Sequence, residues 1–171
     1  ASLSRDNLDQ LIETVSLNPS VREVTILCHS MGCAVTLDAL QSRAARAGNI
    51  GARIKNVLLV APDVDANAFR EQMPRMGTRR PRFALFVSRD DRALRISSSI
   101  SGGTTRLGGV NPDEEPYKSD FKRENILIFD LTHLEGRAHS RAFSEARTVM
   151  EMIGRRLVAG QQLAAETSGR D

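Results

Sequence analysis

The chain predicts an α/β fold, a parallel sheet of about four strands with helices on both faces. Three observations predict it. Short apolar runs at 21–28, 54–61, 83–88 and 126–131 alternate with stretches of helical periodicity. The runs are nearly continuous in hydrophobicity rather than alternating, as strands buried on both faces are. The first run ends in Cys28-His29-Ser30-Met31-Gly32, and an Ala-rich helical stretch follows at once. A length of 171 residues suits one domain with a real core. The expected organisation is a single domain over 1–160 and a frayed tail over 161–171.

Each element has its own justification. Leu8, Leu11, Ile12 and Val15 fall at helical spacing, with Ser4 or Asp6 as N-cap and Pro19 as a stop. The run at 21–28 is the first strand, expected to be buried on both faces. Met31 to Ala47 reads as a helix closed by Gly48 at the C′ position. Ile54 and Val57 to Ala61 form a second strand that ends at Pro62. Asp65 caps a short helix bearing Phe69 and Met73, which Pro74 disturbs. Phe83 to Ser88 is a third strand and Ile126 to Leu131 a fourth. Between them, 97–120 reads as an irregular excursion with room for a short helix or a lid. Ala142, Ala146, Val149, Met150, Ile153 and Leu157 stripe a final helix.

Composition excludes several function classes. Net charge is only +3, Trp is absent and there is one Tyr, so stacking on bases is not expected. Basic residues are scattered, apart from Arg79, Arg80 and Arg82, and nucleic acid is not an expected partner. No apolar run is long enough for a membrane span. Cys28 and Cys33 are the only cysteines. One should end a strand and the other open a helix, so their side chains are expected to diverge, giving neither disulfide nor metal site. No Gly-rich phosphate loop follows a strand, which opposes a nucleotide-binding domain. Compartment is not legible.

The chemistry is concentrated where strands end. In a parallel α/β sheet the site lies outside the carboxyl ends of the strands. Ser30 follows the first strand at the apex of a sharp turn, and the Met31 amide beside it is free to donate to an oxyanion. Asp90 and Asp91 follow the third strand; Thr132, His133 and His139 follow the fourth. A serine hydroxyl is a weak nucleophile until an imidazole takes its proton and a carboxylate fixes that imidazole. The order Ser, Asp, His is that of α/β hydrolases. The elbow pattern Gly-x-Ser-x-Gly is met except at its first position, where Cys28 stands.

Leu27 to Gly32, Ala61 to Asp65 with Phe69, Leu85 to Leu94, Arg106 to Gly108 and Asp130 to Thr132 together carry a resemblance. The chain resembles the second half of an α/β hydrolase, in particular the domain-of-unknown-function family 900 of esterase/lipase-like proteins. The resemblance implies a three-layer sandwich lacking its N-terminal strands. It also implies Ser30 as nucleophile, Asp91 as acid and His139 as base, with Asp90 and His133 as alternates and Met31 as oxyanion donor. No cofactor or metal is implied, and the expected substrate is a small-molecule ester. His29 is expected to pack beside the elbow, and Asp63 and Asp65 to organise the loop after the second strand.

One difficulty goes with this reading. The elbow strand comes first, so no earlier loop supplies a second oxyanion donor, and an apolar sheet edge is expected. The expectation is that a segment upstream of this one completes the sheet, the alternatives being another chain that completes it or an abbreviated fold. The rival expectation is a catalytically silent hydrolase-like domain used for interaction.

Overall fold

Four parallel strands, Val24–His29 (β1), Ile54–Val60 (β2), Arg82–Val87 (β3) and Leu127–Asp130 (β4), form a sheet in the order β1-β2-β3-β4. They belong to a computed structural model that describes residues 2–132 and Glu151. The chain divides into two compact units, Ala1–His133 and Leu134–Asp171. Of the second unit only Glu151 is described, and it is helical. The remainder of the predicted last helix, the tail, His133 and His139 lie outside the described residues.

Helices Ser2–Leu17 (α1), Gly32–Ala47 (α2), Ala66–Arg75 (α3), Arg92–Ile100 (α4) and Tyr117–Arg123 (α5) connect or precede the strands. α2 packs on α1, α3 and β1. Sequential strand order with right-handed crossovers puts α2 and α3 on one face. There Val57, Leu59, Phe83, Leu85 and Val87 join Leu37, Leu40, Phe69 and Met73 in the core. The opposite face of β2 and β3 is buried too, with Leu58, Val60, Ala84 and Phe86 each at 4% exposure or less. The continuous apolar runs of these two strands record that double burial.

Helix ends follow local chemistry. Gly48 takes φ 70 in the left-handed region, where a residue without Cβ ends α2 at no steric cost. The Asp65 carboxylate accepts from the Asn67 and Ala68 amides and caps α3 as expected.

Several expectations are corrected. β1 pairs only with β2 among the described residues, and all its positions but Cys28 are half-buried, because it is an edge strand. α1 already runs from Ser2, so neither Ser4 nor Asp6 begins it. The excursion at 97–120 is largely ordered. It holds the end of α4, a 3₁₀ turn at Leu107–Gly109 and the start of α5, and it contributes buried Leu107 and Val110 to the core, with buried Phe121 just beyond it. Its glycines read as loop markers, yet Gly108 serves close packing. A Cβ on Gly108 would stand 2.7 Å from the Ala61 carbonyl carbon and 2.7 Å from a Leu94 methyl.

Candidate active site

The rim of the sheet is laced by hydrogen bonds that continue the strand ladder. Ser30 N–H donates to Val60 O at 3.1 Å, Ala61 N–H to Phe86 O at 3.1 Å, and Leu131 N–H to Val87 O at 2.8 Å. The loops that leave β1, β2, β3 and β4 are therefore fixed to one another at their first residues.

Ser30 sits at the apex between β1 and α2, half-buried, with φ 51. A non-glycine residue in this left-handed region costs about 1–3 kcal/mol and persists only where its surroundings hold it. Two bonds hold it here: its carbonyl accepts from Cys33 N–H at 3.1 Å and from Asp63 N–H at 3.2 Å. The Met31 amide precedes the first residue of α2 and makes no hydrogen bond among the described residues. Met31 itself is 71% exposed.

Cys28 and Cys33 contradict the expectation that they diverge. They form a disulfide, with Cα atoms 5.0 Å apart and Ser30 inside the six-residue ring. The cause was present in the sequence. The elbow needs small residues because strand and helix backbones approach closely, and that approach brings the two side chains together beneath the turn. Beside them, His29 Nε2 is buried with no hydrogen-bond partner among the described residues.

Asp90 is exposed, while Asp91 is half-buried and its carboxylate accepts from Leu94 N–H at 3.2 Å, capping α4. Asp91 N–H donates to Ser88 O at 3.3 Å, so the residue is set directly above the end of β3. β2 lies between the strands that carry Ser30 and Asp91, which puts their axes roughly 10 Å apart. An imidazole with a hydrogen bond of ~2.8 Å at each ring nitrogen spans most of that interval. A cavity of about 310 Å³ opens beside Asp91, walled by Arg89, Leu94, Arg95, Ser98 and Arg106.

Two arrangements went unread in the sequence. The Ser97 hydroxyl donates to both oxygens of Asp63 at 2.8 Å, and Arg106 Nε stands 3.2 Å from the same carboxylate. They tie α4 and the 3₁₀ turn to the loop that steadies Ser30. At the neighbouring strand end, the buried Thr132 hydroxyl accepts from Arg89 N–H at 3.1 Å and donates to Asp130. Asp130 also pairs with Arg89 at 3.5 Å. The chain immediately before His133 is thereby fastened to the loop that carries Asp91. Long-range pairings of this kind leave no local signal.

Among the described residues no group of His, Cys, Asp and Glu is placed to hold a metal ion, and no helix is long and apolar enough to cross a membrane. No curated protein and no solved structure matches the chain. The family model for alpha/beta hydrolases of unknown function, DUF900, matches residues 1–156. A parallel α/β sheet with a strained serine at its first strand-to-helix turn, matched by that family over most of its length, belongs to the DUF900 alpha/beta hydrolases.

Proposed function

We propose that the chain is a serine hydrolase that cleaves a carboxylic ester through an acyl-enzyme on Ser30. The observation that carries this reading is the left-handed conformation of Ser30 between β1 and α2. Such a turn projects the hydroxyl above the strand ends and leaves the following amide pointing at the same space. A serine that merely capped a helix has no need of this strain.

In the proposed reaction His139 takes the Ser30 proton as the hydroxyl attacks the ester carbonyl, and Asp91 holds the imidazole and offsets its charge. The Met31 N–H donates to the oxyanion. His139 returns the proton to the departing alcohol, then activates the water that releases the acid. Asp91 suits the acid role better than Asp90, since its carboxylate is already oriented by α4 rather than solvated. His133 and Asp90 are the alternates. The residues need no cofactor for this chemistry.

The rival reading, a silent domain used for interaction, draws on the single elbow donor at Met31. Losing one oxyanion donor costs about 10²–10³ in turnover, which slows a hydrolase without abolishing it. The discriminating experiment is hydrolysis of p-nitrophenyl acetate and longer acyl esters by the chain and by Ser30→Ala, His139→Ala and His133→Ala. Turnover lost with Ser30→Ala and His139→Ala but kept in His133→Ala supports the triad. Equal background rates in all four proteins leave the silent reading.

A further inference from the structure

At the amino-terminal end of the sheet, opposite the rim that carries Ser30, a cavity of about 500 Å³ lies against the starts of β2 and β3. Its wall includes Ile54, Lys55, Arg79, Arg80, Pro81 and Arg82, and among the described residues no Asp or Glu lines it. Register brings the strands together here: Arg82 is the partner of Asn56, the residue after Lys55. Arg79, Arg80 and Arg82 form a short basic run that the hydrolase reading does not use.

The four cations divide sharply. Arg80 is structural: its guanidinium donates to the Met73, Gly77 and Glu124 carbonyls and pairs with the Glu124 carboxylate at 2.7 Å. That anchor fixes the loop between α3 and β3. Lys55, Arg79 and Arg82 are exposed, and their side chains make no hydrogen bond or ion pair among the described residues. Elsewhere in the described residues, the arginines on cavity walls or against the core are mostly engaged by Asp or Glu, as Arg43, Arg70 and Arg106 are. Three uncompensated cations about one concavity focus positive potential into it and raise the local concentration of anions.

The shape and lining narrow the ligand. The volume falls within the usual range of small-molecule sites, and the floor at Ile54 and Pro81 is apolar and buried. Among the described residues no aromatic ring lines the wall, so they offer no platform on which a base would stack. Two guanidinium groups match the planar, bidentate recognition of phosphate oxygens, and the lysine adds a point charge. We propose that Lys55, Arg79 and Arg82 form a binding site for a phosphate-bearing ligand, separate from the Ser30 rim. The phosphate belongs either to a soluble molecule or to a lipid headgroup.

Calorimetric titration of the full chain with inorganic pyrophosphate tests the first source. Co-sedimentation with phosphatidylcholine vesicles, with and without phosphatidic acid, tests the second. Arg79→Gln/Arg82→Gln removes two exposed charges unpaired among the described residues, and circular dichroism checks its fold; Lys118→Gln, exposed on α5 and outside both cavities, is the control. Saturable binding in either arm, weakened at least tenfold by the double variant and unchanged by the control, supports the site and names the source. Absence of binding in both arms, or equal affinity in the double variant, overturns it. Preference for a duplex oligonucleotide over both probes overturns it as well, since that would make the patch a nucleic-acid surface.

Discussion

Cys28 and Cys33 are joined by a disulfide that spans the turn holding Ser30, one sulfur at the end of β1 and the other in the first turn of α2. Both residues are buried, at 6% and 0% exposure. The covalent link and the two hydrogen bonds on the Ser30 carbonyl act on the same short segment, so the elbow is held by three independent constraints.

Opening the link should therefore destabilise the fold. Loop-closure entropy for a ring of this size corresponds to about 2 kcal/mol. Urea denaturation of Cys28→Ala/Cys33→Ala against the oxidised chain should show a loss of that order. An unchanged midpoint would mean that the hydrogen bonds alone keep the turn.

Gly108 gives a steric prediction. Its N–H donates to Pro62 O at 2.9 Å and its carbonyl accepts from Ser88 N–H at 2.7 Å, so it sits between the ends of β2 and β3. In Gly108→Ala the new methyl meets backbone at Ala61 and Pro62, which has little room to yield. A cost of about 1–3 kcal/mol is expected, measured as a lowered Tm. Gly109→Ala, where a Cβ would have nothing within 4 Å, should change Tm little.

Asp120 gives a pH prediction. Burial alone would raise its carboxyl, but hydrogen bonds from Arg70 and Arg123 and their charges outweigh that and hold it below the usual 3.8. A carboxyl depressed in the folded state adds stability above its unfolded pKa, and that stability is lost as pH falls through the folded value. Asp120→Asn should therefore lose about 1–2 kcal/mol at neutral pH. Below pH ~4 the gap between variant and parent should narrow. Acid titrations of stability for the two proteins check this, and a gap that widens in acid would contradict it.

Asp91 is predicted to separate stability from activity. Asn is as good a helix cap as Asp, so Asp91→Asn should leave the Tm within a degree or two. Ester turnover should fall by about 10⁴, as expected when the imidazole is no longer held in the right tautomer. Asp90→Asn, at an exposed position, should change neither. A loss of turnover confined to Asp90→Asn would move the acid role one residue back.

Much of this was legible in the sequence, for identifiable reasons. β2 and β3 were readable because strands covered on both faces must be apolar throughout, and α2 because Gly48 marks its end. The elbow was readable because one serine between strand and helix needs small neighbours. What escaped notice depended on partners far along the chain. β1 has the composition of an interior strand, and its half-burial follows from pairing rather than from its own residues. The glycines at 102, 103, 108 and 109 suggested a loop, while Leu107, Val110 and Phe121 are buried between and beyond them. The Asp63–Ser97–Arg106 tie and the Arg89–Thr132–Asp130 clamp join residues that no window of sequence contains together. The disulfide is a different case, since the close approach that forms it was already implied by the turn.

The central claim is that Ser30 is an activated nucleophile. Treatment of the chain with a fluorophosphonate, followed by peptide mass mapping, tests it most directly. The account predicts a single phosphonyl adduct on Ser30, absent in Ser30→Ala and strongly slowed in His139→Ala. An unmodified Ser30 in a chain whose circular dichroism shows it folded, or an adduct that survives Ser30→Ala, would contradict it.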